Sequence, residues 1–497
     1  MKSYTSYGLK KARRKFQVPL KMQHFAIPLA FIIVCVFRNQ RIAGLSLAEA
    51  AAGFLMAFLS VLPLFIWASQ KEREPPAFQC FCAIHFPYYA YQILNSNSMY
   101  TGYPLATRLT TDAIVVVYLT VAICVYYHRK LNPEGAKPTP FLPYRIIPER
   151  TMTQFGFFLL FCWFGYTVAY RFGFLDFVNQ MVRGSANIVH VVGTGTGMIS
   201  TWILFRQLGE RTLTSGQSVL LGTVVGLTLT VSFASTTLVY GMCNLVVCLV
   251  AYTQARAKVP WLLIGAGIGL LAFLNLGKGD TRNTFGNGST LTISRIIDIY
   301  TYWIEASSRT LFGNQVVREQ HDVLSRSNLI YVLARAVNQT PTTKPYLYGE
   351  TYAIIPQLLV PRLIWSAKPN HHAATDRLGL YYGLTDRSAL RNTTVGIGPI
   401  AEAWANFGWF GVVLSAACIG ALMRAVAAAC LSAHPSSLHS IGSVVWVGMS
   451  FQIEQTASSW LSALATTMVG LVVCLYPLSR PAIHPLLQRP QTLPAPA

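Results

Sequence analysis

Charged residues are scarce in this sequence, and acidic residues are the scarcest of them. Only 11% of the 497 residues are charged, with 18 acidic against 39 basic side chains, while 53% are hydrophobic and the mean hydropathy is +0.42. A soluble globular protein of this length is not expected to reach such values. The composition therefore predicts a polytopic membrane protein, one integral domain carrying one extramembrane insert.

The signatures of nucleotide-binding and hydrolytic sites are also missing. The sequence contains no G-x-x-x-x-G-K-[ST] loop, no H-E-x-x-H and no G-x-S-x-G. The glycine-rich run Gly193–Gly197 falls inside a predicted membrane helix and not after a strand, which favours close helix packing over phosphate binding. Energy from a nucleotide is not implied, and we expect no cofactor.

Cysteine is absent from the one long polar segment of the chain, residues 277–395. All ten cysteines fall in or near apolar runs. Disulfides and cysteine-ligated metal ions are therefore not expected.

Twelve apolar runs come near the ~20 residues that cross a ~30 Å hydrocarbon core. They lie at about 24–37, 44–68, 77–94, 112–127, 152–170, 186–205, 217–233, 237–253, 260–276, 396–423, 438–452 and 457–478. We predict an all-α polytopic membrane protein with about 12 transmembrane helices, nine within 24–276 and three within 396–478. A basic arm, 1–23, precedes them and a Pro-rich tail, 479–497, follows them.

The net charge of +21 raises the alternative of a nucleic-acid-binding protein. If the first helix crosses outward, however, 21 of the Lys and Arg residues fall in cytoplasmic segments and 5 in short external loops. The positive-inside rule requires this asymmetry, and it exempts long loops. We therefore expect both termini in the cytoplasm, the long loop outside and no nucleic-acid partner.

The long loop is expected to contain short helices. Leu291–Leu311 has the pattern of an amphipathic helix that lies along the membrane interface. Asn328–Val337 is a second helical stretch, with Ser325 or Ser327 as its cap. Residues 351–364 are apolar but contain two prolines, so a helix there must be short or kinked.

The same loop carries ten arginines and three lysines. A guanidinium can hold phosphate bidentately, whereas a lysine acts as a point charge. The alternative is that these cations pair with carboxylates such as Asp298 and Glu305, or contact lipid headgroups.

Three further side chains are candidates for proton transfer. His371 and His372 follow Pro369 and can be inert, bind a metal or supply a general base. Glu402 opens the tenth predicted helix, with Asn406 one turn later on the same face. A carboxylate at such a depth is costly without a partner, so Glu402 is either an anchor for a loop arginine or a base.

Two blocks of sequence resemble the closing region of Wzy-type polymerases of O-antigen and exopolysaccharide repeat units. The first is GETYAIIPQLLVPRLIWSAKP, which begins at Gly349, and the second begins at Gly398-Pro399 and continues with EAWANFGWFG from Glu402. Together they cover about 60 residues, and elsewhere only the layout of many helices with a large outward loop is similar.

The resemblance implies a metal-independent, GT-C-like glycosyltransferase of the bacterial inner membrane, acting on its periplasmic side. Its substrates would be glycans on undecaprenyl pyrophosphate, and its partners membrane lipid with a chain-length regulator and a flippase of the same pathway. Arg362, Lys368, Arg391 and Arg335 would bind the pyrophosphate, with Arg362 stabilising its developing charge. Glu402 or one of His371 and His372 would be the base.

Two other functions remain open from the sequence. An O-antigen ligase, which transfers finished glycan in lipopolysaccharide synthesis, shares the same layout. A flippase or other transporter is a rival from a different class, but transporters place ionisable groups near the midplane of discontinuous helices. Here the polar residues gather in one external insert, which favours the polymerase.

Overall fold

The structure is a computed structural model in which most of the chain is helical. It describes residues 45–69, 75–128, 144–175, 185–236, 238–256, 261–286, 291–312, 328–360, 365, 367–388, 390, 395–430, 434 and 436–482. The first predicted membrane run, 24–37, lies outside these residues, as do the basic arm and most of the tail.

The other predicted runs are helical. In chain order the helices are α1 Leu47–Ser69, α2 Ala77–His85, a π-helical turn Phe86–Ala90, α3 Tyr91–Leu94, α4 Ser98–Thr101, α5 Leu105–Tyr127, α6 Glu149–Arg171, α7 Ser185–Glu210, α8 Ser215–Phe233, α9 Leu238–Arg256 and α10 Trp261–Phe285. There follow α11 Ile293–Phe312, α12 Leu329–Gln339, a 3₁₀ turn Tyr352–Ile354, α13 Ile355–Leu359, α14 Ala373–Tyr381, α15 Pro399–Cys430, α16 Leu438–Met449 and α17 Ala457–Leu475.

Among the described residues, five helices are long and apolar enough to cross a membrane: α1, α5, α6, α8 and α15. The shorter α16 and α17 are also apolar. An all-α membrane protein is therefore confirmed in outline, and the count of 12 spans stays a prediction.

Helices α1, α5 and α15 run in the same direction. Arg108 of α5 is paired with Glu49 at the start of α1, and the Tyr127 hydroxyl at the end of α5 donates to Pro63 O at 3.5 Å. Gly420 of α15 lies against Ala122, whose carbonyl oxygen would be 2.6 Å from an added Cβ. A glycine is needed at that contact, so the two backbones approach closely.

The segments predicted to be external and those predicted to be cytoplasmic lie at opposite ends of the helices. At the end that carries the described residues between 328 and 398, here called the loop end, the Thr107 hydroxyl donates to Asn338 Oδ1 at 3.2 Å. At the other end two short antiparallel strands, β1 Arg145–Ile146 and β2 Arg480–Pro481, pair with each other. The contacts thus agree with chain segments that alternate between two sides.

The helix that precedes the long loop is longer than predicted. α10 continues past 276 to Phe285, and α11 packs back against it. Gly277 allows this approach, because an added Cβ would lie 2.6 Å from the Ser307 backbone nitrogen. The Trp303 indole donates to Leu274 O in the same contact. The polar segment that begins at 277 therefore starts as part of a helical hairpin.

α11 has three different faces. Ile299, Trp303 and Ala306 are buried against the protein, whereas Ile293 is 73% exposed and Ile297 62% exposed. The helix is amphipathic as predicted, but the side that packs on the protein is centred on Trp303, and the isoleucine stripe is left uncovered. Charged residues occupy a third face, where Arg309 and Glu305 are 3.9 Å apart.

Candidate functional site

Glu402 lies in the first turn of α15 and is completely buried. Its Oε2 accepts a hydrogen bond from the backbone nitrogen of Ala457, the first residue of α17, at 2.6 Å. A carboxylate is favourable there because the first amides of a helix lack internal acceptors. The other oxygen, Oε1, is buried and makes no hydrogen bond. Glu402 thus joins two helices and keeps one oxygen unused.

The two readings of Glu402 can now be compared. Its hydrogen-bond partner is the backbone amide of Ala457, not an arginine. Among the described residues, Glu402 therefore anchors the start of α17 and not a cation of the loop. The unused oxygen is what a general base requires, although a base must also reach its substrate. The hydroxyl of Thr351, a loop residue, lies beside this carboxylate.

Asn406, one turn after Glu402, fastens the loop to α15. Its Nδ2 donates to Glu402 O and to the Thr351 hydroxyl, each at 2.8 Å, and its Oδ1 accepts from the backbone nitrogen of Gly349 at 3.0 Å. Its backbone oxygen accepts from Tyr348 N at 3.1 Å. Residues 347–351 are therefore held directly over Glu402, and this explains why the two sequence blocks of the resemblance belong together.

The turn that meets Asn406 requires an unusual backbone. Tyr348 and Gly349 have φ values of +47° and +93°. Positive φ is uncommon for residues other than glycine, and here consecutive left-handed residues reverse the chain so that two amides point at Asn406. Glu350 follows, and its pKa is lowered by hydrogen bonding to Arg377. That pair is bidentate, at 2.8 and 3.2 Å, and exposed.

His371 and His372 are half-buried beside the start of α17. The Ser459 hydroxyl donates to His371 O at 2.7 Å, and the two imidazole rings lie 5.0 Å apart at 77°. His372 precedes α14, where burial raises the pKa of Asp376 and the nearby His372 opposes that rise. The first turn of α17 therefore contacts both candidate bases, Glu402 through Ala457 and His371 through Ser459.

Lys368 binds backbone carbonyls. Its Nζ donates to Leu358 O at 3.0 Å and to Val360 O at 2.8 Å, at the end of α13. The Ser462 hydroxyl of α17 reaches the same Leu358 oxygen at 3.3 Å. A cation at the carboxyl end of a helix satisfies acceptors that the helix leaves unpaired. This position explains Lys368 as a support of the loop, whereas a role in pyrophosphate binding stays a prediction.

Arg335 of α12 has a similar role. Its guanidinium donates to Tyr382 O at 2.6 Å, to Gly383 O at 3.1 Å and to the Tyr331 hydroxyl at 3.1 Å. These contacts tie α12 to the end of α14. Arg335 is therefore engaged with the protein itself, and pyrophosphate binding by this residue also remains a prediction.

The other two predicted phosphate-binding residues, Arg362 and Arg391, lie outside the described residues. The sequence-based roles of both are unchanged. Within the described part of the chain, no group of three or more His, Cys, Asp or Glu side chains is placed to hold a metal ion.

Two other local predictions can be checked in the loop. α12 is capped by Asn328 itself, whose Oδ1 accepts from Tyr331 N at 2.9 Å, while Ser325 and Ser327 lie outside the described residues. The short helix expected in 351–364 is present as α13, and it contains Pro356 in its first turn. Proline is tolerated there because its missing amide has no helical partner.

Sequence reasoning missed the contribution of α17. Thr456 contacts Thr375 at 3.2 Å, and the next three positions supply the Ala457 amide and the Ser459 hydroxyl. The run TASS before an apolar helix is a visible capping signal. It does not show that the cap on Ala457 comes from a carboxylate 55 residues earlier.

Comparison with known proteins identifies the same region. Residues 309–480 match the model of the family described as O-antigen polysaccharide polymerase Wzy. The matched span contains the loop from residue 309 onward, Glu402, Asn406 and the first turn of α17. No curated protein and no solved structure matches the chain. The match confirms, over residues 309–480, the resemblance to Wzy-type polymerases seen in the sequence.

Proposed function

We propose that this protein polymerises oligosaccharide repeat units carried on undecaprenyl pyrophosphate, at the periplasmic face of the bacterial inner membrane. The family match supports a polymerase of the glycosyltransferase kind in general. The observation that carries the finer proposal is the buried Glu402 carboxylate, with one oxygen on the Ala457 amide and the other unbonded, beneath a loop fastened by Asn406.

In this reaction the hydroxyl of one lipid-linked glycan attacks the anomeric carbon of another. Undecaprenyl pyrophosphate is already a good leaving group, so the protein must accept the hydroxyl proton and stabilise the charge that develops on the diphosphate. Glu402 is the base that the geometry favours. The second task falls to Arg362 and Arg391, because Lys368 and Arg335 already donate to backbone carbonyls.

His371 and His372 remain an alternative for the base. Their rings are nearly perpendicular, so they face different directions and at most one can reach a given hydroxyl. The backbone carbonyl of His371 accepts from the Ser459 hydroxyl of α17, so this hydrogen bond does not involve the imidazole ring.

The test is polymer formation by the purified protein in detergent, with lipid-linked repeat units as the substrate. Glu402→Gln keeps an acceptor for the Ala457 amide but removes the base, and we expect a loss in kcat of roughly 10²-fold or more. Glu454→Gln is the matched control, since Glu454 is exposed at the same end of the molecule and is expected to keep normal turnover. Arg362→Ala should also be inactive, and Arg362→Lys should not restore full activity.

The outcomes separate the alternatives. Polymer formed without a sealed vesicle excludes a pure transporter, and its absence for the wild-type protein contradicts the proposal. In a deletion strain, a ligase defect leaves long lipid-linked polymer unattached, whereas the polymerase defect that we expect leaves single repeats. Full turnover in Glu402→Gln would remove Glu402 as the base.

A further inference from the structure

Helix α11, at the start of the long loop, has an apolar stripe that the described residues leave largely uncovered. Ile293, Ile297, Ile304 and Leu311 are between 50% and 73% exposed. In a helix of 3.6 residues per turn, these four positions fall within about 40° of one another. An exposed apolar surface of this kind marks a site of interaction, and the polymerase reaction described above makes no use of it.

The other two faces of α11 have different surroundings. Ile299, Trp303 and Ala306 are buried against the protein, whereas the side chains of Glu305 and Arg309 are 64% and 60% exposed. The helical periodicity sets the apolar stripe, the buried face and the charged face roughly 120° apart. The helix therefore packs sideways on the protein and turns one charged side and one apolar side away from it.

The contacts of α11 place it at the ends of three other helices. The backbone nitrogen of Leu291, two residues before α11, donates to Arg171 O at the end of α6, at 2.9 Å. The Tyr300 hydroxyl donates to Thr230 O in the last turn of α8, at 2.8 Å. The contact with α10 described above lies beside residue 276, where the ninth predicted membrane run ends. α11 thus lies across the ends of α6, α8 and α10.

These three ends are on the same side of the molecule. α6 begins beside β1 and so ends at the loop end. Gln207 of α7 donates to Thr153 of α6 at 2.9 Å, so α8, which begins soon afterwards at Ser215, also starts on the β1 side. Arg282 of α10 donates to Thr236 O, just beyond the end of α8, at 3.1 Å. α11 is therefore at the level where predicted membrane-spanning segments end.

Apolar surface continues from α11 onto two of these helices. On α8, Leu227 lies one turn before Thr230 and is 50% exposed. On α10, Leu276 lies next to Gly277 and is 42% exposed. Both leucines belong to runs that are predicted to span the membrane, so side chains suited to contact acyl chains lie directly beside the contacts of α11.

The chemistry of the stripe favours lipid over a protein partner. Its side chains are isoleucine and leucine, whereas the centres of protein interfaces are enriched in aromatic residues, methionine and arginine. Separate charged and apolar faces are typical of helices that lie in the membrane surface. The charged residues of α11 are two basic and two acidic, namely Arg295, Asp298, Glu305 and Arg309. Acyl chains, and not anionic headgroups, are therefore the expected ligand.

We propose that α11 lies in the plane of the membrane surface at the loop end and inserts Ile293, Ile297, Ile304 and Leu311 among the acyl chains of that leaflet. Helices of this kind bury their apolar face about 5–10 Å into the boundary between headgroups and acyl chains. The charged face then points to water, and the face centred on Trp303 holds the ends of α6, α8 and α10. α11 binds lipid in this way whether or not the protein polymerises glycans.

Adjacent residues on different faces of α11 provide the test. Ile297→Cys is compared with Asp298→Cys, and Ile304→Cys with Glu305→Cys, in full-length protein that lacks the native cysteines. All four positions are exposed, so the variants should unfold at the same temperature. Each is labelled with an environment-sensitive fluorophore and placed in nanodiscs of phosphatidylethanolamine and phosphatidylglycerol.

Two quenchers then report the surroundings of each label. A lipid with a nitroxide on its acyl chain should quench the labels at 297 and 304 several-fold more strongly than those at 298 and 305. Aqueous iodide should give the opposite order. Within each pair the labels are neighbours in the chain, so a difference between them reports the face of the helix.

The other outcomes contradict the proposal. Equal quenching by iodide at 297 and 298 would show that the stripe faces water. Protection of 297 and 304 from both quenchers would show that protein covers the stripe, either a second copy or another segment of the chain. Polymer formation does not enter these measurements, so a failure of the proposed function is distinguishable from a failure of lipid binding by α11.

Discussion

Asn406 is the residue on which the geometry of the site depends most. Its side chain connects one turn of α15 with two residues of the loop, Gly349 and Thr351. Since both side-chain atoms of its amide group are bonded, removal leaves several buried groups unpaired. Its effect on activity should therefore be indirect, through the position of the loop over Glu402.

We expect Asn406→Ala to lower the free energy of unfolding by about 1–3 kcal/mol and to shorten or abolish the polymer ladder. Thermal unfolding in detergent and the chain-length distribution of the surface glycan measure the two effects. Asn338→Ala is a suitable control, because Asn338 accepts one exposed hydrogen bond from Thr107. Wild-type stability and a normal ladder in Asn406→Ala would show that the loop keeps its position without this clamp.

For single residues, the sequence indicated which side chains belong to the site better than it indicated what each of them does. Glu402 and Asn406 could be singled out because a carboxylate and an amide one turn apart are unusual in an apolar helix. Lys368 and Arg335 could not be separated from phosphate ligands, because their carbonyl partners depend on how the loop folds back.

Among the elements, α15 differs most from a regular helix. Gly408 has φ +57° and ψ −138°, and it interrupts the helix two residues after Asn406. A Cβ at Gly408 would be 2.7 Å from the Tyr346 hydroxyl, and one at Gly411 would be 2.3 Å from Ala403 O. The interruption therefore lets the loop turn and the helix backbone approach each other, which a continuous helix with larger residues would prevent.

Gly408→Ala should destabilise the protein by about 1–3 kcal/mol, since its backbone conformation is essentially reserved for glycine. Adding Tyr346→Phe removes the nearest atom but not the unfavourable dihedral angles, so we expect only partial recovery. Gly470→Ala on α17 is the control, because nothing lies within 4 Å of its added Cβ. Thermal unfolding of the four proteins gives the comparison, and equal stability of Gly408→Ala and Gly470→Ala would contradict it.

The helices themselves could be predicted well because hydrophobic run length is a strong local signal. Their ends were less predictable. α10 extends nine residues beyond the predicted 276, because Gly277 lets α11 cover polar turns that composition alone assigns to a loop. The break at Gly408 was also hidden, since glycine is common in membrane helices and φ is set by the tertiary contact.

For the whole molecule, the contacts place the loop and the β1–β2 strand pair at opposite ends of the helices. The sequence predicts that the loop end is periplasmic, from the distribution of Lys and Arg. Trp365 at the loop end is 39% exposed, and Pro481 at the opposite end is exposed as well. These two positions can therefore report on sidedness.

In a background without native cysteines, we expect Trp365→Cys to react with a membrane-impermeant maleimide in intact spheroplasts. Pro481→Cys should react only after the membrane is permeabilised. Labelling is read by the mass shift of the purified protein, and polymer formation by each variant shows that it is folded. The reverse pattern would place the loop in the cytosol and would rule out a periplasmic polymerase.

The bonds of the loop have a practical consequence for anyone who wishes to study it. Its turn at Gly349 depends on Asn406, its His371 carbonyl on Ser459 and its Leu358 carbonyl on Ser462. All three partners belong to helices α15 and α17, which are embedded among the other helices. An excised fragment spanning 328–398 would lack these partners. Antibodies should therefore be raised, and inhibitors screened, against the intact chain.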